Sequence, residues 1–137
     1  MRPDWREVPR GDLRTMWAGF YVTLSPKGVI AFTRVTWEKM DAPAAFQVLF
    51  DAVNNRIGLK PAALTARNAF PVRVNSNRGG KRLSCGRLMK DFKVSLPMTV
   101  RFYDAETDED GFLILDLRTA KVSPKAEAYA RGKRVES

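Results

Sequence analysis

The feature that most constrains the fold is a pattern of apolar residues that occurs twice, about fifty positions apart. Residues 20–28, FYVTLSPKG, and residues 70–80, FPVRVNSNRGG, place apolar side chains at matching alternate positions with a spacing of 50. Such alternation is the pattern of a half-buried strand. Each strand then meets a glycine, Gly28 or Gly79, among turn-forming residues. Each copy is therefore predicted to open with a β-hairpin, and SPKG has the residues of a type I turn.

The correspondence continues beyond the hairpin at a spacing of 51. Thr33 and Ser84 end the second strand of their copies, and each precedes a short helical stretch. A hydroxyl at that place accepts a hydrogen bond from a free amide of the first turn, so both residues are predicted N-caps. The spacing grows only near turns and helix ends, where insertions are tolerated. The later strands also correspond, and the matching pairs are VLFDA (48–52) with RFYDA (101–105) and RIGLKP (56–61) with FLILDL (112–117).

Each copy thus reads strand, turn, strand, short helix, strand, turn, strand. One such unit would leave strand edges open and bury little apolar surface, so we expect two units to interlock. The prediction is a mainly β fold: a β-barrel with short helices, made of two pseudo-symmetric β-β-α-β-β units at about 20–61 and 70–117. The barrel would form one domain, 16–122, between an N-terminal arm, 1–15, and a basic C-terminal tail, 123–137. The expected core residues are Trp17, Trp37, Phe46, Val48, Phe50, Val100, Phe102, Leu113, Leu115 and Leu117.

The order TLSPKGVIAFTRVTWEKM, FQVLFD and NRIGLKP resembles the AbrB, MazE and MraZ type of swapped-hairpin DNA-binding domain. In that family a strand leads through a Ser/Gly-rich turn to a second strand, a brief helix and a closing hairpin, and two units interlock. The resemblance implies that the two copies are halves of one DNA-binding barrel. The family usually has a proline entering the helix, and here Thr33 and Ser84 hold that place.

Charge indicates the class of partner. The chain has 24 Lys and Arg against 15 Asp and Glu, for a net charge of +9. That balance favours a polyanion, because neutralising phosphates releases condensed counterions. Double-stranded DNA is the expected partner, bound by a transcriptional regulator or a mobile-element accessory factor. No apolar segment is long enough for a membrane span and no secretory signal is evident, which favours a cytoplasmic protein.

The residue inventory argues against catalysis and cofactors. There is no histidine, the usual general base and commonest metal ligand, and one cysteine, Cys85. Cys85 near a helix start would have either a lowered pKa or the inert character of a buried thiol, and the second is favoured. A nuclease-like set of Asp51, Asp104 and Asp116 is explained more simply by turn initiation. The sequence therefore predicts no enzyme activity, no metal and no cofactor.

The candidate DNA contacts centre on NSNRGGKR, residues 75–82. Hairpin geometry requires its glycines but not its cations, so the cations need a functional explanation. Asn75 and Asn77 fit either Asx turns or contacts to adenine. Arginines that follow the two predicted caps also lie near helix starts, which favour phosphate. The predicted contact residues are Lys27, Arg34, Arg73, Arg78, Lys81, Arg82 and Arg87.

Alternatives remain open at this point. A solvated basic surface is the simplest one, and a protein-interaction or assembly module, with or without a homodimer, is another. Trp5, Trp17 and Trp37 could stack on unpaired bases of single-stranded DNA or RNA. The acidic run at 104–111 is expected to form a hairpin turn facing away from nucleic acid rather than a calcium loop.

Overall fold

The computed structural model describes Pro3 and residues 20–124. The rest of the predicted arm, with Trp5, lies outside the described residues, as do residues 16–19 of the predicted domain, with Trp17, and the predicted tail beyond residue 124. The described part is mainly β, as the sequence predicts, with two short helices among the strands.

The strands form two antiparallel sheets. Sheet A has the strand order β11-β8-β1-β2-β7-β6, and sheet B has the order β5-β3-β4-β10-β9. Between residues 20 and 124 no strand pairing joins the two sheets into one closed barrel. The strands of sheet A are β1 (Val22–Leu24), β2 (Val29–Phe32), β6 (Arg73–Val74), β7 (Lys81–Ser84), β8 (Val100–Phe102) and β11 (Lys121–Val122). Those of sheet B are β3 (Ala45–Asp51), β4 (Arg56–Ala62), β5 (Ala69–Pro71), β9 (Glu106–Thr107) and β10 (Leu113–Asp116), and the helices are α1 (Arg34–Lys39) and α2 (Gly86–Asp91).

The two copies of the sequence pattern pair with each other within each sheet. In sheet A, β2 pairs with β7 so that Ala31 lies opposite Arg82, its own equivalent at the spacing of 51. In sheet B, β4 pairs with β10 so that Gly58 lies opposite Ile114, its equivalent at a spacing of 56. A residue lies opposite its own equivalent where a two-fold axis passes, so both registers agree with a pseudo-two-fold relation between the copies.

The relation weakens towards the sheet edges. β1 pairs with β2 and with β8 over the same three residues. The equivalent strand of the second copy is interrupted at Val72, which separates β5 from β6 and whose N–H donates to the carbonyl of Ala44. As a result β5 pairs with β3 in sheet B, whereas β6 pairs with β7 in sheet A.

One apolar core lies between the sheets. Phe32 of sheet A stacks on Phe46 of sheet B with ring centroids 5.3 Å apart. Burying one such ring stabilises the fold by roughly 1.5–3 kcal/mol. Five predicted core residues are fully or nearly buried: Phe46, Val100, Phe102, Leu113 and Leu115. Trp37, Val48, Phe50 and Leu117 pack against this core while only partly buried.

The two helices begin differently. Thr33 is the N-cap of α1, as predicted, and its Oγ1 accepts a hydrogen bond from the Thr36 N–H at 3.2 Å. The prediction for Ser84 is wrong, because Cys85 occupies the N-cap of α2 and makes no side-chain cap bond. Ser84 is still paired with Val29 in β7, so the helix starts one residue later than its counterpart.

Cys85 is a structural residue. Its side chain is fully buried, and that burial raises the pKa of the thiol to about 12. Its N–H donates to the carbonyl of Gly28 at 2.8 Å, which ties the start of α2 to the first hairpin. The buried structural thiol favoured by the sequence is confirmed, and burial raises the pKa of Cys85 instead of lowering it.

Candidate nucleic-acid interface

The outer face of sheet A carries a transverse row of cations. Val22, Ile30 and Phe102 point into the core, so the residues that alternate with them point outward. Successive strand pairings place one outward residue of each strand next to the outward residue of the neighbouring strand. The resulting basic row runs Lys121, Arg101, Thr23, Ala31, Arg82 and Arg73.

The basic row divides into two banks. Arg73 and Arg82 form one bank, and Arg101 with Lys121 forms the other. The small side chains of Thr23 and Ala31 separate them. With strands about 4.8 Å apart, the row spans about 24 Å, and the inner members of the two banks are about 14 Å apart.

A groove of about 300 Å³ lies on this face beside residues 76–79, here called the second turn. Thr23 and Ala31 contribute to its lining, and their small size leaves the space open. Three arginines from separate elements also line it: Arg34 of α1, Arg78 of the second turn and Arg101 of β8. Other polar lining residues are Tyr21, Thr33, Asn75 and Ser76.

Arg101 is held in place by aromatic residues. Its guanidinium carbon lies 3.9 Å from the centroid of the Tyr21 ring, a cation–π distance. Its Nη1 donates to the Tyr103 hydroxyl at 3.2 Å. Its Nε is buried and has no hydrogen-bond partner among the described residues. A buried unpartnered donor is uncommon, and among the described residues the Arg56 Nε of sheet B is another.

Arg34 and Arg78 differ in how far their charges are compensated. The Arg34 Nε donates to the Glu38 carboxylate at 2.7 Å, in an exposed i,i+4 pair. The Arg34 side chain also lies against Gly79, where an added Cβ would come within 2.7 Å of it. Among residues 20–124 the Arg78 side chain has no hydrogen bond or ion pair, so its full charge faces solvent.

The second turn is closed by serine rather than asparagine. The Ser76 Oγ accepts a hydrogen bond from the Gly80 N–H at 3.1 Å, and the Ser76 carbonyl accepts one from Gly79 at 3.2 Å. Gly79 has φ = 91°, so its glycine is a requirement of the turn. Within the described residues neither Asn75 nor Asn77 makes the side-chain bond of an Asx turn.

The structure separates Lys81 from its neighbour Arg82. Lys81 lies opposite Phe32 in the strand register, on the other side of β7, and its Nζ is 4.6 Å from the centroid of the Trp37 ring. Arg82 points outward and donates to the Val74 carbonyl at 3.0 Å. Arg73, beside it, is exposed. Arg73 and Arg82 therefore belong to the basic row, whereas Lys81 does not.

Lys27 and Arg87 lie away from the groove. β2 and β7 are antiparallel, so residues 25–28, here called the first turn, lie at the opposite end of this strand pair from the second turn. Gly28 of the first turn packs against the backbone of Cys85 and Gly86. Arg87 pairs with Asp91 at 3.4 Å. Because both helices have only six residues, arginine side chains rather than helix ends would supply any phosphate contacts.

Sequence reasoning missed Arg101 and Lys121. The signal for Arg101 was present, since it stands between the apolar Val100 and Phe102 in a strand pattern. That pattern gives the outward direction of the side chain but not its neighbours. Only the pairing of β8 with β1 and β11 places Arg101 in the basic row.

Of the three aspartates of the possible nuclease-like set, Asp51 and Asp116 lie in strands of sheet B, and Asp104 lies between β8 of sheet A and β9 of sheet B. Hydrogen bonds from Asn54 and Arg56 lower the pKa of Asp51 to about 2. Asp51 also accepts hydrogen bonds from the N–H groups of Val53 and Asn54, which confirms its role in turn initiation. Arg118 hydrogen-bonds to Asp116 and lowers the pKa of that carboxyl. Asp104 instead accepts a bond from the Thr119 hydroxyl, and no group of acidic side chains between residues 20 and 124 is arranged to hold a metal ion.

Comparison with protein-family models, with curated proteins and with solved structures finds no match to this chain. None of the helices in the described residues has the length and apolar character needed to cross a membrane.

Proposed function

We propose that this protein binds duplex DNA through the outer face of sheet A. The observation that carries the proposal is the basic row, in which four of six cross-strand neighbours are Arg or Lys. Like charges on directly opposite strand positions, such as Arg73 and Arg82, repel each other and destabilise a sheet. A phosphate backbone would remove that repulsion and release counterions.

The spacing of the two banks favours a duplex. Their inner members are about 14 Å apart, close to the width of about 12 Å of the DNA major groove. Each bank can therefore contact one of the two backbones that border the groove. These contacts fix position and affinity, whereas sequence would be read by the few side chains that reach base edges.

A swapped-hairpin arrangement of two duplicated units would bring the strands of this surface together. The pseudo-two-fold relation passes through the Ala31–Arg82 pair, at the fourth and fifth places of the six-residue row, so it relates Arg82 to Ala31 and Arg73 to Thr23 and does not relate one bank to the other. An AbrB-like or MazE-like regulator, or a DNA-binding accessory factor, is the function that we assign to such an arrangement. The registers of β2 with β7 and of β4 with β10 support the duplication.

A salt titration tests the proposal. Binding of a fluorescent 20-base-pair duplex should weaken steeply with salt, with a log–log slope of about −3.6 if the four cations of the row neutralise four phosphates. Arg73→Ala with Arg82→Ala should reduce the magnitude of the slope by about 1.8. Lys60→Ala with Arg67→Ala is the control, because both residues are exposed and lie on the side of sheet B. An affinity that hardly changes with salt would refute the proposal.

Single-stranded nucleic acid is the second candidate. Tyr21 and Tyr103 lie with ring centroids 6.2 Å apart beside Arg101, and Tyr103 is 47% exposed. Exposed aromatic rings next to an arginine can stack on unpaired bases. Competition between unlabelled duplex, single-stranded DNA and RNA of equal length separates the two candidate functions. The duplex-binding proposal predicts that duplex DNA competes best, and the second candidate predicts that a single strand does.

A further inference from the structure

The groove beside the second turn differs from the rest of the basic surface because it is concave. Its volume of about 300 Å³ is at the lower end of the range for ligand pockets. A duplex cannot enter such a space, but one phosphate with its attached sugar can. The groove therefore has room for a terminal nucleotide rather than for a continuous helix.

The charges in the groove match a dianion better than a monoanion. Glu38 pairs with Arg34 and offsets part of its charge. Arg78 and Arg101 make no ion pair with any described carboxylate. The groove thus presents about two uncompensated positive charges. A phosphodiester carries one negative charge, whereas a phosphate monoester carries about 1.5 to 2 at neutral pH.

The donors around the groove are already positioned. Arg101 is stacked on Tyr21 and bonded to Tyr103, so its guanidinium loses little freedom when it binds an anion. The Ser76 hydroxyl accepts from Gly80 and retains its own proton to donate. A planar guanidinium presents paired N–H groups that fit phosphate oxygens.

We propose that the groove lined by Arg34, Arg78 and Arg101 binds a phosphate monoester, and that in nucleic acid this is the phosphorylated end of a strand. The strand-end assignment rests on the proposed function, because the basic row would hold the adjoining duplex. The same phosphate chemistry occurs in free mononucleotides, so the experiment has to separate these two sources.

The test compares duplexes of one sequence that differ only in carrying a 5′-phosphate, a 3′-phosphate or hydroxyl ends. We expect the wild-type protein to bind one phosphorylated form about tenfold more tightly than the hydroxyl form. Arg78→Gln should abolish that ratio. Lys27→Gln, in the first turn at the other end of the strand pair, is the matched control and should keep it. Thermal melting of each variant establishes that the protein is folded.

The outcomes separate the two proposals. Equal, salt-dependent binding of all three duplexes would overturn the strand-end inference and leave the proposed function standing. No binding of any duplex would overturn the proposed function. Adenosine monophosphate and adenosine form the second arm: binding of the monophosphate alone, lost in Arg78→Gln, supports the monoester chemistry. If the protein binds the monophosphate but shows no preference for a phosphorylated duplex end, the strand-end assignment is overturned in favour of a free nucleotide.

Discussion

Two hairpin turns in this molecule share one backbone frame and have opposite charge. In the first turn, SPKG at 25–28, Ser25 N–H bonds to the Val29 carbonyl and Ser25 Oγ accepts from the Val29 N–H, both at 3.0 Å. In the acidic turn, DEDG at 108–111, Asp108 makes the same two bonds with Phe112, both at 2.9 Å. The glycine that ends each turn has positive φ, 87° in Gly28 and 80° in Gly111.

The difference between these turns lies in what surrounds them. Gly28 is packed so closely that an added Cβ would come within 2.6 Å of the Cys85 carbonyl oxygen, whereas Gly111 has nothing within 4 Å. The residue before the glycine is Lys27 in one and Asp110 in the other. Because the same frame accepts either charge, folding does not require the cation of the first turn. The second turn is closed by the bonds of two glycines to Ser76, so its cation is not required by the turn either.

The largest effect is expected from Gly28→Ala. Both glycines have a left-handed conformation, which costs a residue with a Cβ about 1–2 kcal/mol. At Gly28 the Cβ would also clash with backbone of the α2 start, so we expect a total loss of about 3 kcal/mol in the free energy of unfolding. Gly111→Ala should cost only about 1 kcal/mol. Urea denaturation measures both, and equal losses would show that the packing at Gly28 is irrelevant.

Exchanging the charges of two turns tests their function directly. Asn77→Glu with Arg78→Asp gives the second turn the central residues of the acidic turn. Arg78 lies beside the basic row rather than in it, so the exchange acts through the negative charge that it places next to the bound phosphates. We expect an effect equal to the loss of about two phosphate contacts, each contributing about fivefold at 0.15 M salt, so that duplex binding weakens on the order of 30-fold. Fluorescence anisotropy measures the affinity, and melting verifies the fold.

The reverse exchange is the control for that experiment. The acidic turn joins β9 to β10 of sheet B. Glu109→Asn with Asp110→Arg raises the charge of the acidic turn by as much as the first exchange lowers that of the second turn. It should change duplex affinity by less than about threefold, because only distant screened charges act there. A comparable change in both exchanges would mean that net charge alone governs binding, without a defined face.

The sequence predicts the hairpins and the Thr33 cap well because residues close together in the chain determine them. Apolar alternation and the turn residues before Gly28 and Gly79 predict both hairpins. The change of spacing from 50 to 51 agrees with the structure, since β1 with β2 encloses one residue fewer than β6 with β7. Thr33 illustrates the same point, because its cap bond joins residues three positions apart.

What the sequence could not predict depends on long-range pairing. Arg73, Arg82 and Arg101 become members of one row only through strand pairs between distant segments. Lys81 is adjacent to Arg82 in the chain, yet it points to the other side of the strand and contacts Trp37. Ser84 failed as a cap because its pairing with Val29 extends the strand by one residue.

The helix starts that adjoin these turns offer a smaller test. The second turn packs beside α1, whose cap bond comes from Thr33, and the first turn packs beside α2, which has no side-chain cap bond. Thr33→Ala should lower the free energy of unfolding by about 1 kcal/mol. Ser84→Ala, at the equivalent position, should stay within about 0.5 kcal/mol. Similar losses in the two variants would indicate that the hydroxyls act in some way other than capping.

The smallest effect concerns a carboxylate that initiates the turn between β3 and β4, as Asp108 does in the acidic turn. The folded-state pKa of Asp51 is about 2, below its ordinary 3.8, because Asn54 and Arg56 hydrogen-bond to the ionised form. A lowered pKa stabilises the fold above pH 4, and that stabilisation is lost as the pH falls towards 2. We therefore expect Asp51→Asn to lower Tm slightly at pH 7 and to match the wild type near pH 2. Asn54→Ala removes the hydrogen bond to the Asp51 Oδ2. In that background, Asp51→Asn should lower the Tm at pH 7 by less than it does in the wild type. A difference in Tm between the wild type and Asp51→Asn that stays constant from pH 7 to pH 2 would show that the turn is stabilised by the shape of the side chain and not by its charge.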